Sequence, residues 1–384
     1  LSAPMYERIF EALREEIRSG RYGVGDRVPS EKELADAHRV SRITSKKALE
    51  MLAEEGLIVR RPGRGSFVAD PAAKPPAAAA APGAKNGARI GRGGEKLLIG
   101  LVMTDFGDSY GTGLIYGMEE ASRRNGSYLI LRRTFGIPSY EEEAIRGMLE
   151  LGVDGLIIFP AQGEFFNAEI LKLVIDKFPF VLVDRQLKGI SAGSISSDNA
   201  AGAKKGAEYL FGLGHKHIAL LTPPPTDTTA VEDRIEGFVQ AHAEKGIVVD
   251  RELWIEDILS TLPMAYTEEN KGKDIDKIAR HLQEHPEITA IFAMEYNIAL
   301  LANRAAQQLG RKVPEDLSIV CFDCPEGSEA FPFTHLRQKQ EEMGRLAYES
   351  VLKLREGQSV PGKITLDAEL VVGRSTAAAH RVHS

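Results

Sequence analysis

The sequence predicts an α/β chain in two parts: a small winged helix-turn-helix domain, then a larger two-lobed α/β domain with parallel sheets. Three observations predict it. Short helical patterns followed by a Gly-rich hairpin signal fill roughly the first 69 residues. Residues 70–95 are rich in Pro, Ala and Gly and lack apolar periodicity. From Leu97 onward, short aliphatic runs alternate with helical stretches. At 384 residues and 43% hydrophobic, the chain can bury more than one core. The charge divides along the same line. The whole chain carries −7, but residues 1–69 carry +2 and the remainder −9. A slightly basic head on an acidic body suits a nucleic-acid-reading module joined to something else.

In the head, Ile9, Leu13 and Ile17 fall at helical spacing, and Gly20 ends that helix. Ser30-Glu31-Lys32-Glu33 opens a second helix as a capping box: the Ser30 hydroxyl caps, and Glu33 three residues on reaches back. That helix runs to about His38, and after a short turn Ser41 caps a third. Ser41-Arg42-Ile43-Thr44-Ser45-Lys46-Lys47-Ala48-Leu49 carries three cations and no anion. Ile43, Ala48, Leu49 and Leu52 line its apolar face, while Arg42, Thr44, Lys46 and Lys47 project elsewhere. Two helices joined so tightly form a helix-turn-helix, whose second helix enters the major groove. Past Gly56, two β-prone runs flank Pro62-Gly63-Arg64-Gly65, a hairpin whose glycines let backbone come close to DNA. Arg64 sits where a wing enters the minor groove. The 70–95 segment reads as a tether.

Taken together, Pro29-Ser30-Glu31, Leu34-Ala35, Val40-Ser41-Arg42-Ile43-Thr44, Ala48-Leu49, Glu55-Gly56-Leu57-Ile58 and Gly63-Arg64-Gly65-Ser66-Phe67-Val68 resemble the GntR-type winged helix-turn-helix. The resemblance covers nearly all of residues 5–69. It implies that Lys32, Ser41, Arg42, Thr44 and Lys46 contact DNA, with Gly63, Arg64 and Gly65 forming the wing. Two departures stand out: Ser45, where an aliphatic residue is common, and Lys46, where Arg is usual. A lysine is a point charge without the bidentate fork, so Lys46 is suited to holding phosphate.

In the body the apolar runs include Leu97–Met103, Gly155–Phe159, Phe180–Val183, Ile218–Thr222, Ala290–Ala293 and Leu317–Phe322. Helical stretches between them include Gly113–Asn125, Tyr140–Leu151, Ala200–Leu213, Val231–Lys245, Asp274–His285 and Tyr296–Leu309. This rhythm means parallel strands covered by helices, and about 280 residues exceed one comfortable core. Ligands in such folds bind beyond the carboxyl ends of strands. That rule points to Asp105, Asp108, Tyr110, Asp184, Arg185 and Asp323.

These positions carry a second resemblance. Val183-Asp184-Arg185, Ser197-Asp198-Asn199, Leu213-Gly214-His215-Lys216-His217, Asp233-Arg234-Ile235-Glu236-Gly237-Phe238, Val313-Pro314-Glu315-Asp316-Leu317 and Thr334-His335-Leu336-Arg337-Gln338 are similar to the LacI-type effector domain, a relative of periplasmic sugar-binding proteins. It spans residues 96–376. A GntR-type head on such a body resembles the arabinose-repressor group. The resemblance implies a homodimer that binds double-stranded, palindromic operator DNA and a small sugar effector between its lobes. Asp108, Tyr110, Asp184 and Arg185 would face the cleft from the first lobe and Arg234 from the second. Asp323 and Gln338 would reach it from crossover segments. Carboxylates and guanidinium groups suit paired hydroxyls, and the Tyr110 ring would pack a pyranose face. Where relatives usually have Asn-Asp, this chain has Glu295-Tyr296; Glu295 remains able to accept a hydroxyl proton.

Structural alternatives exist for these residues: Asp184 and Arg185 as a strand-end salt bridge, Arg234 pairing with Asp233 or Glu236 on its own helix. Other motifs carry less. Gly189-Ile190-Ser191-Ala192-Gly193 fits GxSxG but lacks the helix a nucleophile elbow needs. Cys321-Phe322-Asp323-Cys324 has CxxC spacing with no second pair for zinc. His215-Lys216-His217 reads as a loop before a strand. The sequence implies no metal and no cofactor. It holds no run of 18 apolar residues, its amphipathic N-terminus does not read as a signal peptide, and two cysteines fit a reducing, cytoplasmic setting. The expected function is a ligand-responsive repressor of carbohydrate-use genes. A sugar-modifying enzyme with a regulatory head is the alternative.

Overall fold

The computed structural model describes residues 5–38, 40, 42–54, 57–61, 65–69, 96–161, 167–187, 189–225, 228–325 and 332–379. Ser41, Gly63, Arg64 and the tether expected over 70–95 lie outside them. The chain divides into two compact units, Leu1–Arg92 and Gly93–Ser384.

In the first unit, α1 (Met5–Arg18) is followed by β1 (Arg27–Val28), α2 (Glu31–His38), α3 (Arg42–Glu54), β2 (Ile58–Arg61) and β3 (Gly65–Val68). The expected capping box forms: Ser30 N–H donates to Glu33 Oε2 at 2.7 Å, and Glu33 N–H donates to Ser30 Oγ at 3.3 Å. Those bonds hold the Glu33 carboxyl below its ordinary pKa. Val40 N–H closes the turn onto Ala35 O at 3.0 Å. Ile9, Leu13, Leu34, Ala48, Leu49 and Leu52 bury the face that the helical spacing marks, against Val28, Ile58 and Val68 of the sheet. The sheet runs β1-β3-β2, all antiparallel, with Arg61 opposite Gly65 across the hairpin.

The second unit has two sheets. The first lobe is laid down by β4 (Leu98–Met103), α4 (Thr112–Arg124), β5 (Tyr128–Arg133), α5 (Pro138–Leu151), β6 (Gly155–Ile158), α6 (Ala168–Ile175), β7 (Phe180–Val183) and β8 (Gly193–Ser197). The chain then crosses to the second lobe: α7 (Asn199–Gly212), β9 (Ile218–Leu221), α8 (Thr229–Lys245), α9 (Glu268–Glu284), β10 (Ala290–Ala293), α10 (Tyr296–Gln308), β11 (Ser318–Phe322) and β12 (Thr334–Arg337). It returns with α11 (Gln340–Arg355) and β13 (Lys363–Leu366), and crosses a third time into β14 (Glu369–Val371). The first sheet, β13-β8-β7-β6-β4-β5, is parallel throughout. The second, β14-β12-β11-β10-β9, is parallel except for β14.

β6, β7, β10 and β11 are buried along their whole length, because helices cover both faces. One apolar layer sets Leu101, Ile157 and Val181 against Met118 and Tyr348; the other sets Val102, Leu156 and Leu182 against Ile145 and Ile170. The second lobe centres on Phe238, Phe292 and Phe322. In each lobe two helices touch at a glycine. A Cβ on Gly117 of α4 would lie 2.0 Å from Glu341 O of α11, and one on Gly237 of α8 would lie 2.0 Å from Ala200 O of α7. Only glycine permits that approach.

α9 starts six residues before the expected Asp274. Its first turn, Glu268 to Lys273, carries no large apolar residue, so no periodicity marks it; the Thr267 hydroxyl caps it by accepting from Asn270 N–H at 3.2 Å. Beyond β14, Ala377 N–H donates to Ser318 Oγ at 3.0 Å and Ala379 N–H to Leu213 O at 2.8 Å, so the C-terminal segment packs on the second lobe.

Candidate effector cleft and DNA-binding head

A cavity of about 660 Å³ lies between the lobes at the carboxyl ends of the strands. Tyr110, Asp184, Arg185, Arg234, Glu295, Asp323 and Gln338 all line it. The parallel sheets make this placement: every strand of β4, β6, β7, β9, β10 and β11 ends facing the other lobe.

On the first lobe, Asp184 follows the last residue of β7 with φ +70° and donates its N–H to Ile195 O at 2.8 Å. The Tyr110 hydroxyl donates to Asp184 Oδ1, and Arg185 Nε lies 3.6 Å from Asp184 Oδ2. Arg185 Nη1 also donates to Pro160 O at 3.3 Å, with its guanidinium 4.9 Å above the Phe159 ring. Burial, reinforced by the Asp184 charge, pushes the Tyr110 hydroxyl well above its usual pKa and keeps it a donor. Its ring meets Phe159 edge-on, at 6.3 Å between centroids.

On the second lobe, Arg234 of α8 donates from Nε to Asn199 Oδ1 at 2.8 Å and from Nη1 to Met294 O at 2.6 Å. Its guanidinium sits 3.8 Å from the Phe322 ring centroid. Neither Asp233 nor Glu236 takes these bonds, so the same-helix alternative does not describe Arg234. Asp323 follows β11 with φ +57°, donates its N–H to Leu336 O at 3.0 Å, and accepts from Gln338 Nε2 at 2.6 Å. Burial pushes its carboxyl up to about 6, with the Arg234 charge opposing. Asp323 was expected on a crossover segment. It belongs instead to the second lobe's own sheet, and only Gln338, between β12 and α11, stands on a crossover. Glu295 precedes α10 in extended conformation, and burial raises its pKa.

Asp108 lies apart from this group. Gly107 N–H donates to Tyr110 O at 2.8 Å, and that turn sends Tyr110 inward while Asp108 stays exposed on an adjoining groove.

Three buried polar atoms around the cavity, Arg185 Nε, Thr228 Oγ1 and Gln338 Oε1, have no hydrogen-bond partner, and Thr261 and Glu295 face one another beside them. Buried polar atoms are normally satisfied, so such a concentration marks a place for a ligand that both donates and accepts. Sequence reasoning missed Phe159 and Phe322, which close the apolar runs Gly155–Phe159 and Leu317–Phe322 and pass for strand core. It also missed Asn199, although that residue stood inside a quoted motif. Thr228 and Thr261 sit in loops with no pattern to reveal them.

The remaining motifs find structural places. The GxSxG stretch leads into β8, not a helix. Cys321 and Cys324 are free thiols, and no metal-binding cluster exists among the described residues. His215 is buried, with Nδ1 2.9 Å from Thr289 Oγ1 and Nε2 3.0 Å from Ala377 O, tying down the C-terminal segment.

In the head, Lys32 is exposed in the first turn of α2, and Thr44 is half-buried on α3. Arg42 and Lys46 belong to the same helix, in its first turns. Ser45 is fully buried, which accounts for an aliphatic residue being common at this position. Gly65 opens β3 at the hairpin.

Residues 5–68 match the bacterial regulatory proteins of the gntR family, and residues 207–376 match the periplasmic binding protein-like domain. The chain is 28% identical over 383 residues to an arabinose metabolism transcriptional repressor of Geobacillus stearothermophilus, covering 97% of this chain and 98% of that protein. It is 30% identical over 280 residues to the HTH-type transcriptional repressor PurR of Vibrio vulnificus, covering 71% of this chain and 79% of the repressor. The body shares its fold with a LacI family transcriptional regulator from Enterococcus faecium solved with bound ribose: TM-score 0.60, 22% identity, 74% of this chain and all of that one. Among the described residues no helix is long and apolar enough to cross a membrane. With a gntR-type head, a periplasmic binding protein-like body and repressors as relatives along its length, the chain belongs to the gntR-headed transcriptional regulators with a LacI-type effector domain, and it is a DNA-binding regulator, not an enzyme.

Proposed function

We propose that the protein is a cytoplasmic repressor of carbohydrate-use genes whose effector is a neutral sugar bound between the two lobes. The observation that carries this reading is the cluster of unsatisfied buried donors and acceptors in the cleft, beside Asp184, Arg185, Arg234 and Asp323. Sugar hydroxyls donate and accept at once, so they answer both kinds of atom. Two carboxylates balance two guanidinium groups, and Glu295 adds no cation, which favours a neutral ligand over a phosphorylated one. The repressor and sugar-bound protein to which the chain is similar support the same choice.

On the DNA side, Arg42 and Thr44 of α3 enter the major groove, with Lys32, Ser41 and Lys46 on the backbone and Gly63, Arg64 and Gly65 at the minor groove. Two heads in a homodimer read a palindromic operator. Ligand closes the lobes and changes head spacing, so effector and operator are coupled through their differential affinities for two states.

A thermal-shift assay on the full chain tests the effector half. Neutral monosaccharides at 100 times their dissociation constant should add about 2.7 kcal/mol, their phosphate esters should add none, and Asp323→Ala should abolish the shift while leaving operator affinity unchanged. Stabilisation by the esters alone would refute the neutral-sugar assignment.

A further inference from the structure

Glu141, Glu142 and Glu143 follow one another in the first turns of α5, and such a run ordinarily faces water. Glu143 does, but Glu141 is only 2% exposed, and both of its oxygens are engaged. Oε2 accepts from Ala161 N–H at 2.6 Å, and Oε1 accepts from Asn167 Nδ2 at 2.7 Å. Asn167 in turn caps α6, its Oδ1 accepting from Glu169 N–H at 2.9 Å. Burial pushes the Glu141 carboxyl up in pKa, with those two bonds and the Arg185 charge opposing. An apolar side chain would fill the same space without the cost of desolvating a carboxylate, so the group is there for what it holds.

What it holds is one peptide unit. Ala161 N–H and Pro160 C=O belong to the same trans peptide, so they point in opposite directions. Glu141 takes the N–H on one side, and on the other Pro160 O accepts from Arg185 Nη1 at 3.3 Å. The peptide dipole is clamped with an anion at its positive end and a cation at its negative end, and each bond polarises the other. Arg185 lines the cleft and Glu141 does not. The ring of Phe159 and the charge of Asp184 restrain the Arg185 guanidinium without fixing its rotation. The directional bond to Pro160 O sets which edge turns to the carbonyl, and so leaves the unpartnered Nε for a ligand.

We propose that Glu141 is a positioning residue for effector binding: without reaching the ligand, it locks the Pro160–Ala161 peptide and through it the direction in which Arg185 presents its guanidinium. The proposal rests on the effector reading of the cleft and adds a residue on which that site depends.

Two measurements on the full-length protein test it. The first needs no effector. Phenylglyoxal labels arginine side chains, and mass mapping of the digested protein follows each one. Glu141→Ala should label Arg185 about threefold faster or more, while the exposed Arg280 of the second lobe keeps its rate. The second is calorimetric titration with arabinose, ribose, xylose, glucose and galactose. A sugar that binds the wild type should bind Glu141→Ala at least about tenfold more weakly. In an Arg185→Met background the same substitution should cost less than about twofold further.

An isosteric pair covers the case in which Glu141→Ala fails to fold. Glu141→Gln loses one of the two bonds, because its amide N–H₂ has to face either Ala161 N–H or Asn167 Nδ2. Adding Asn167→Asp restores both, since the new carboxylate accepts from that amide and still caps α6. Glu141→Gln should therefore quicken labelling and weaken binding, and the double substitution should return both to within about twofold of the wild type. An unchanged Arg185 labelling rate in the Glu141 variants would overturn the proposal. So would a loss of affinity as large without Arg185 as with it, which would make Glu141 part of the scaffold only. Should none of the five sugars bind, the sugar reading falls, while faster labelling confined to Arg185 still upholds the positioning role.

Discussion

Asp184 and Asp323 occupy matching positions in the two lobes. Each is the first residue past a buried parallel strand, each is in left-handed conformation, and each donates its N–H to the neighbouring strand, to Ile195 O and Leu336 O respectively. That turn aims both carboxylates into one cleft. Their surroundings then differ: Asp184 accepts from the Tyr110 hydroxyl beside a guanidinium, whereas Asp323 accepts from the neutral Gln338 amide.

Burial gives Asp323 a pH signature. Its folded-state value of about 6 lies above the ordinary 3.8. Between those values the folded protein keeps a proton that the unfolded chain has released, so this group's contribution to stability falls as pH rises from 3.8 to about 6 and is flat above. Asp323→Asn should flatten that slope in unfolding curves of the ligand-free protein. Effector affinity should strengthen as pH rises through about 6 in the wild type and lose that dependence in the variant, as read by titration calorimetry.

Arg234→Lys should be far from conservative. A lysine cannot serve Asn199 and Met294 O together or stack on Phe322. Leaving those acceptors without a donor should cost about 1–3 kcal/mol in urea unfolding. Effector affinity should fall by at least about tenfold.

Gly237→Ala places a Cβ 2.0 Å from Ala200 O and must force α7 and α8 apart. The expected cost is about 1–3 kcal/mol, the usual range for overpacking. Gly272→Ala, inside α9 with no positive φ and no atom within 4 Å of its added Cβ, is the helical control without the clash. Equal melting temperatures for the two variants would exclude the close approach as the cause.

Ser30→Ala removes the cap of α2 and should destabilise the head by about 1 kcal/mol. The head and body are separate compact units, so hydrogen exchange should quicken in α1 to α3 and stay unchanged in the body sheets.

Arg42→Ala should weaken binding to a selected operator by about 1–3 kcal/mol and relax base preference at one position. Equal loss on random DNA would instead make Arg42 a phosphate contact.

By itself the sequence determined the local features. The capping box at Ser30, the apolar face of Ala48, Leu49 and Leu52, the hairpin pairing Arg61 with Gly65, and the alternation of strands and helices all depend on residues close together in the chain. It also marked Asp184 and Asp323 as strand-end residues, because an aliphatic run stops where the chain leaves the sheet. What only the tertiary structure decided is which strand ends meet. The chain crosses between lobes three times, so Arg234 finds Asn199 and Gln338 finds Asp323 through contacts that no periodicity encodes. Phe159 and Phe322 could not be told from core by sequence, since burial against a guanidinium and burial against a leucine ask for the same apolar residue. The turn that separates exposed Asp108 from half-buried Tyr110 is closed by Gly107 N–H on Tyr110 O and held by the Gln340 side chain of α11, a residue far along the chain that no local pattern points to.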